Sequence, residues 1–342
     1  MAISRRKFVA CVAIAGLSIV ATGSMAGCGG AAMPSSSSGT GADGDDIITI
    51  SMSEQGESER ERLTQADYAA YFNEENYPKV LEGITDKDQN TFPEVDTAMP
   101  LSHAEVGGYS VYKLENDDAT CTLFYIHGGA YAFGINASHV QMCEKMANRL
   151  NAQVFMPLYP LVPRGNCLEA YAFLDAAYEQ ALAAGKPIYL MGDSAGGGLS
   201  CAFAEHLRDT GTELPKGLVL FSPWLDVTMS NPDIASYEDE DIQLKSYGLI
   251  ELGKLWANSL DVKDSRVSPI FGDVNGLPPT LLITGTKEIF YPDITEFHQT
   301  LKSAGIKTQL VCGEGLWHVY AAWDMPESDS TFDIVETFCK GI

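Results

Sequence analysis

Gly192-Asp193-Ser194-Ala195-Gly196 is a G-x-S-x-G string whose setting gives it chemical content. Tyr189, Leu190 and Met191 read as the end of a strand, and a helical pattern starts directly afterwards. A serine in so tight a strand-to-helix turn takes strained backbone angles and projects its Oγ above the sheet. Gly192 and Gly196 carry no side chain, so strand and helix can pass closely around it. The helix N-terminus brings partial positive charge to the place where an oxyanion would form. An ordinary Gly-rich turn has the same look, and Gly197-Gly198 raises the question of a phosphate loop, but no Lys stands where such a loop needs one.

Two further places complete a reaction centre. His127-Gly128-Gly129-Ala130 follows an apolar strand, and the N–H groups of Gly128 and Gly129, joined by that of Ala195, would form an oxyanion hole. His127 and Asp193 are read as supporting residues, His127 orienting the loop rather than acting as a base. Near the C-terminus, Glu288 and His318 each lie just past an apolar strand, on the same rim as Ser194. Serine is a weak nucleophile until a base takes its proton. His318 can do that and later protonate a leaving alcohol, while Glu288 would fix the imidazole tautomer. Asp293 and Asp226 are rival acids. Water would then hydrolyse the acyl-enzyme, so the scheme calls for no metal and no organic cofactor.

From Val106 onward, β-rich runs alternate with helical patterns, which predicts an α/β fold with a mostly parallel central sheet flanked by helices. Strands are expected at 106–114, 120–126, 153–158, 188–191, 218–221, 280–284 and 308–312. Helices are expected from Ser138, with Gln141 completing a capping box, and over 168–184, 195–208, 246–259, 292–304 and 332–339. Two segments stand outside the alternation. Residues 54–99, helical around 60–74 and 77–83, and the insertion 229–264 are expected to cap the site. The acidic run Glu238-Asp239-Glu240-Asp241 lacks the ordered spacing of a calcium loop and reads as a solvated loop. Tyr131, Phe133, Trp224 and Tyr320 are candidates to shape a pocket, and Trp317 to pack beneath the loop.

Together, His127-Gly128-Gly129-Ala130-Tyr131, Tyr159-Pro160-Leu161-Val162-Pro163, Gly192-Asp193-Ser194-Ala195-Gly196-Gly197 and Ser268-Pro269 with Leu277-Pro278-Pro279 resemble the hormone-sensitive-lipase-like family of α/β-hydrolase esterases. The resemblance spans residues 105–325 and implies the α/β-hydrolase fold with a small helical cap. The order Ser194, Glu288, His318 is that of these hydrolases. Ala130 replaces the last glycine of the usual H-G-G-G, and Glu288 stands where the family usually has Asp. The implied activity is hydrolysis of small or short-acyl carboxylic esters. The same triad can cleave amides, which leaves an amidase, formamidase or peptidase open, and beyond these a binding module that has lost the chemistry.

The chain has 342 residues, is 45% hydrophobic, and carries a net charge of −24, which disfavours nucleic-acid partners. Its eight cysteines form no C-x-x-C pair. Cys121, Cys143, Cys167, Cys201, Cys312 and Cys339 read as small buried hydrophobes, a Cys312–Cys339 bridge remaining open. Residues 1–27 read as a signal peptide: Arg5-Arg6-Lys7-Phe8 before an apolar stretch resembles a twin-arginine signal. Met25-Ala26-Gly27-Cys28 resembles a lipobox, and residues 28–46 form a Gly/Ser/Ala/Asp tether ahead of a catalytic domain at 47–342. This predicts an exported protein anchored through lipidated Cys28 to the outer face of a membrane, with simple secretion as the alternative.

Overall fold

The computed structural model describes residues 46–85 and 89–342. The signal peptide, Cys28 and nearly all of the tether lie outside the described residues. Strand β1 (Ile47–Ser51) is followed by α1 (Glu54–Ala66), a 3-10 turn (Tyr68–Phe72) and α2 (Tyr77–Gly83). Then come β2 (Leu101–Val106), β3 (Tyr109–Leu114), β4 (Cys121–Ile126), α3 (Ala137–Leu150), β5 (Ala152–Pro157), α4 (Cys167–Ala183), β6 (Ile188–Asp193) and α5 (Ser194–Thr210). The chain continues through β7 (Gly217–Phe221), α6 (Ser246–Ala257), β8 (Thr280–Gly285), α7 (Tyr291–Ser303), β9 (Thr308–Glu314) and α8 (Pro326–Lys340).

The nine strands form one sheet in the order β1-β9-β8-β7-β6-β4-β5-β3-β2, and β3 alone runs antiparallel to the other eight. Successive residues of the buried strands face opposite sides. In β4, Phe124 and Ile126 join the core beneath α4, α5, α6 and α7, while Leu123 and Tyr125 join the core beneath α3 and α8. Apolar side chains on both faces make these strands read as continuous hydrophobic runs. The parallel βα units place the C-terminal ends of β4, β6, β8 and β9 on one rim, and the loops from those ends carry the candidate site.

The structure departs from the sequence pattern at four places. Residues 106–114 are not one strand: Gly107 and Gly108, both at positive φ (58° and 89°), turn the chain between β2 and β3. The 60–74 helix is instead α1 plus a 3-10 turn. The N-terminus of α3 is capped by Asn136 with His139 in the reciprocal position, not by Ser138 and Gln141. The acidic run is not simply solvated. Asp241 is buried and accepts from the N–H groups of Gln243, Leu244 and Ile289, and Glu238 accepts from Ser246 at the start of α6. The six described cysteines are unpaired and buried, so no Cys312–Cys339 bridge exists.

Candidate active site

The β6–α5 turn begins with close packing. A Cβ on Gly192 would lie 2.4 Å from the Gly196 carbonyl oxygen, and one on Gly196 would lie 2.1 Å from the Ile126 carbonyl oxygen. Strand, helix and the end of β4 therefore meet at van der Waals contact only because both positions lack a side chain. Between them Ser194 sits at φ 52°, in the left-handed region. Its Oγ is 2.9 Å from His318 Nε2.

His318 lies on the loop after β9, and its Nδ1 is 2.5 Å from Glu288 Oε2. Glu288, fully buried on the loop after β8, accepts at Oε1 from Thr284 Oγ1 (2.5 Å) and from the Gly285 N–H (3.0 Å). Those donors satisfy a buried carboxylate and leave Oε2 to accept from Nδ1–H, which puts the imidazole lone pair at Nε2 toward Ser194. The two loops are pinned to each other: Thr286 N–H donates to Gly313 O and Lys287 N–H to Leu316 O, both at 2.9 Å. Behind the histidine, the Val319 N–H donates to Ser222 Oγ at 2.9 Å. Three groups separated by 124 and 30 residues thus form one hydrogen-bonded line.

The rival acids lie elsewhere. Asp226 turns its oxygens to the backbone and hydroxyls of Thr228 and Ser230. Asp293, on α7, is buried with neither oxygen hydrogen-bonded, and burial pushes its carboxyl up to about 7.

The glycine loop differs from expectation at one residue. The N–H of Gly128 donates to Asp193 Oδ1 at 2.8 Å and is committed there. Gly129 and Ala130 line the cavity beside Ser194. The correction to the oxyanion set is therefore Gly128: its N–H is a tether of the loop, not a free donor. His127 is fully buried, and burial, followed by the neighbouring His139, lowers its imidazole to about 4. Its Nδ1 is 2.7 Å from Gly128 O, and its ring stacks on Tyr159 with centroids 4.6 Å apart. A ring so enclosed stays neutral and is held against the glycine loop.

A cavity of about 140 Å³ opens over Ser194 and His318. The N-terminal segment supplies Tyr68, Tyr71, Phe72 and Val80 to its wall, and the insertion supplies Gln243 and Leu244. Of the four pocket candidates, only Phe133 lines it. Tyr131 is buried in a stack with Trp256 (centroids 4.1 Å), Trp224 lies behind it, and Tyr320 is bonded to Thr331. Trp317 is packed in the core against Trp323. Residues the sequence reading missed include Gln89, which donates to the carbonyls of Ala132 and Val162 and accepts from Arg164, so tying the cap segment to the glycine loop. No local pattern marks it. His139 did leave a signal, an Asn three residues before it at a helix start.

The chain is similar in sequence and fold to known hydrolases. A family described by its alpha/beta hydrolase fold matches residues 123–322. An esterase of Acinetobacter venetianus is 31% identical over 268 residues, covering 76% of this chain and 88% of that protein. An acetyl-hydrolase of Streptomyces hygroscopicus is 30% identical over 224 residues, covering 64% and 75% respectively. Among solved structures, a hormone-sensitive lipase from a metagenome library superposes with a TM-score of 0.71 at 25% identity, over 85% of this chain and 99% of that one. The sheet order, the strained serine at the end of β6 and this likeness in sequence lead to one assignment: the chain belongs to the hormone-sensitive-lipase-like family of α/β-hydrolase esterases and is a serine hydrolase of the carboxylesterase and lipase type.

Proposed function

We propose that the protein hydrolyses small or short-acyl carboxylic esters through an acyl-enzyme on Ser194, with His318 as general base and acid and Glu288 as the orienting acid. The observation that carries this reading is the 2.9 Å contact between Ser194 Oγ and His318 Nε2, backed by Glu288 on the other ring nitrogen. As Oγ attacks the ester carbon, its proton passes to Nε2, and Glu288 stabilises the imidazolium. The carbonyl oxygen becomes an oxyanion facing the N–H groups of Gly129 and Ala195. His318 then returns the proton to the departing alcohol, and the acyl group stays on Ser194 until water, activated by the same histidine, releases it. The apolar wall of Tyr71, Phe72, Val80 and Leu244 suits an acyl chain, and the modest cavity suits a short one. A relative named an acetyl-hydrolase supports the same reading.

Substitution Ser194→Ala tests it. Turnover of p-nitrophenyl acetate and butyrate should fall at least about 1000-fold with an unchanged melting temperature. A variant as active as the parent would reject Ser194 as nucleophile.

The proposed setting is the extracytoplasmic face of a membrane, held by lipid on Cys28. The support is the Met25–Cys28 string, the basic and apolar residues before it, and the small polar residues between it and β1. Palmitate should label the parent and not Cys28→Ser; equal labelling would oppose the anchor.

A further inference from the structure

We propose that His139 is a positioning residue of the oxyanion hole: by holding the Asp193 carboxylate against the glycine loop, it keeps that carboxylate off the N-terminus of α5 and leaves the Ala195 N–H open to the substrate oxygen. The proposal rests on the catalytic reading of Ser194 given above.

Asp193 is the N-cap of α5, with extended backbone angles (φ −120°, ψ 148°). An Asp at that place ordinarily accepts from the N–H of the second or third helical residue. Here those residues are Ala195 and Gly196, so ordinary capping would draw the carboxylate toward the donor that the oxyanion needs. Asp193 makes no such bond. Its Oδ1 accepts from the Gly128 N–H at 2.8 Å and from the Tyr125 hydroxyl, and its Oδ2 faces His139 Nε2 at 3.3 Å.

The histidine is prepared for that contact. The Asn136 N–H lies 3.1 Å from His139 Nδ1. A backbone N–H can only donate, so Nδ1 accepts and the ring proton sits on Nε2, toward Asp193. Asn136 is in turn fixed by accepting from the N–H groups of Ser138 (3.0 Å) and His139 (3.2 Å). The start of α3 thereby delivers one donor to one carboxylate oxygen. His139, Asp193 and Tyr125 are each 2% exposed, and Asn136, His139 and Asp193 line the cavity over Ser194.

The carboxylate is also in contact with the loop it holds. A Cβ on Gly128 would lie 2.2 Å from Asp193 Oδ2 and 2.8 Å from the Asp193 carbonyl oxygen. Burial by itself would raise the Asp193 carboxyl; His139, Tyr125 and Gly128 outweigh it and hold the group at about 2, ionised throughout the working range. An ionised carboxylate released to cap Ala195 would occupy an oxyanion donor and bring negative charge to where negative charge develops. That penalty falls on the transition state and not on substrate binding, so it lowers kcat rather than raising KM.

The experiment uses the full chain, a p-nitrophenyl ester, and a trifluoromethyl ketone whose serine adduct places an oxyanion in the same hole. His139→Leu should lower kcat by about 10- to 100-fold, leave KM within about threefold, and weaken the ketone by the same factor as kcat/KM. His139→Gln, which restores an N–H donor, should recover most of the loss. Parent-like kcat and ketone affinity in His139→Leu would overturn the proposal. So would a loss confined to KM, or equal losses in the Leu and Gln variants. Should His139→Leu fail to fold, Tyr125→Phe removes another donor from the same carboxylate. A parallel fall in kcat and ketone affinity there upholds the proposal, and no change overturns it. Ser194→Ala separates the two levels. If it stays active, the catalytic reading fails and takes this one with it. If it is dead while His139→Leu is parent-like, only the role of His139 fails.

Discussion

Glu288 reaches His318 with one methylene more than the Asp usual in related hydrolases, and its second oxygen is what makes that length workable. Oε1 is held by Thr284 and the Gly285 N–H, so Oε2 arrives at Nδ1 from a fixed carboxylate. A Gln at this position would set its NH₂ either against the Nδ1–H or against the Gly285 N–H. Glu288→Gln is expected to lower kcat by about 1000- to 10,000-fold, by loss of the productive tautomer. Asp293→Asn and Asp226→Asn should stay within about twofold, because neither carboxylate reaches the imidazole. Steady-state kinetics on one ester check this, and the opposite ranking would move the acid to Asp293 or Asp226. Ser194, His318 and Glu288 were legible in the sequence because each sits one short step past a strand. The mistaken donor, Gly128, was not, because the direction of its N–H is set by Asp193, 65 residues further along the chain. Where a backbone amide points is a tertiary fact, and residue type alone does not encode it.

Elements obey the same division. Strands buried on both faces and helices of matching period declared themselves through local pattern. β1 did not: its five residues follow a polar stretch, and only pairing with β9 makes them a strand. The acidic loop of the insertion is a similar case. Its composition says solvent, but Asp241 turns inward and fastens two elements. Oδ1 accepts from the N–H groups of Gln243 (2.8 Å) and Leu244 (2.9 Å), two residues that line the cavity, and Oδ2 accepts from that of Ile289, the residue after Glu288. Asp241→Asn keeps an acceptor for the local turn and sets an NH₂ against the Ile289 N–H. The cap would then be uncoupled from the acid loop. Unfolding in urea should show a loss of about 1–3 kcal/mol, and kcat/KM should fall several-fold on esters with acyl chains long enough to touch Leu244. Unchanged stability would mean that the insertion is not held through this carboxylate.

At the scale of the whole molecule, charge works against folding at high pH. The net charge of −24 sets up self-repulsion, and several carboxyls are buried as well. Burial pushes Asp293 up to about 7 and Glu205 up to about 8, whereas Asp193, with its three donors, is held at about 2. The signs differ. Asp193 has a folded value below its unfolded one, so its contribution is present above about pH 4 and is lost as pH falls toward 2. Asp293 and Glu205 have folded values above their unfolded ones. From about pH 4 upward the folded chain keeps protons that the unfolded chain has released, so stability declines as pH rises, by about 1.4 kcal/mol per pH unit for each group, until the two values near 7 and 8 are passed. The urea midpoint should therefore drop between pH 5 and pH 8. Surface repulsion would produce a drop of the same sign, but salt screens it, with a Debye length of about 4 Å at 0.5 M, and does not reach two groups that are 1% and 3% exposed. The decline should thus persist in 0.5 M salt. The double variant Asp293→Asn/Glu205→Gln should flatten it above about pH 6, below which Asp241, pushed up by burial to about 6, still adds to the slope, and should be more stable than the parent at pH 8 by several kcal/mol. A slope that vanishes with salt in the parent, or that survives intact in the double variant, would show that these two buried carboxyls are not its source.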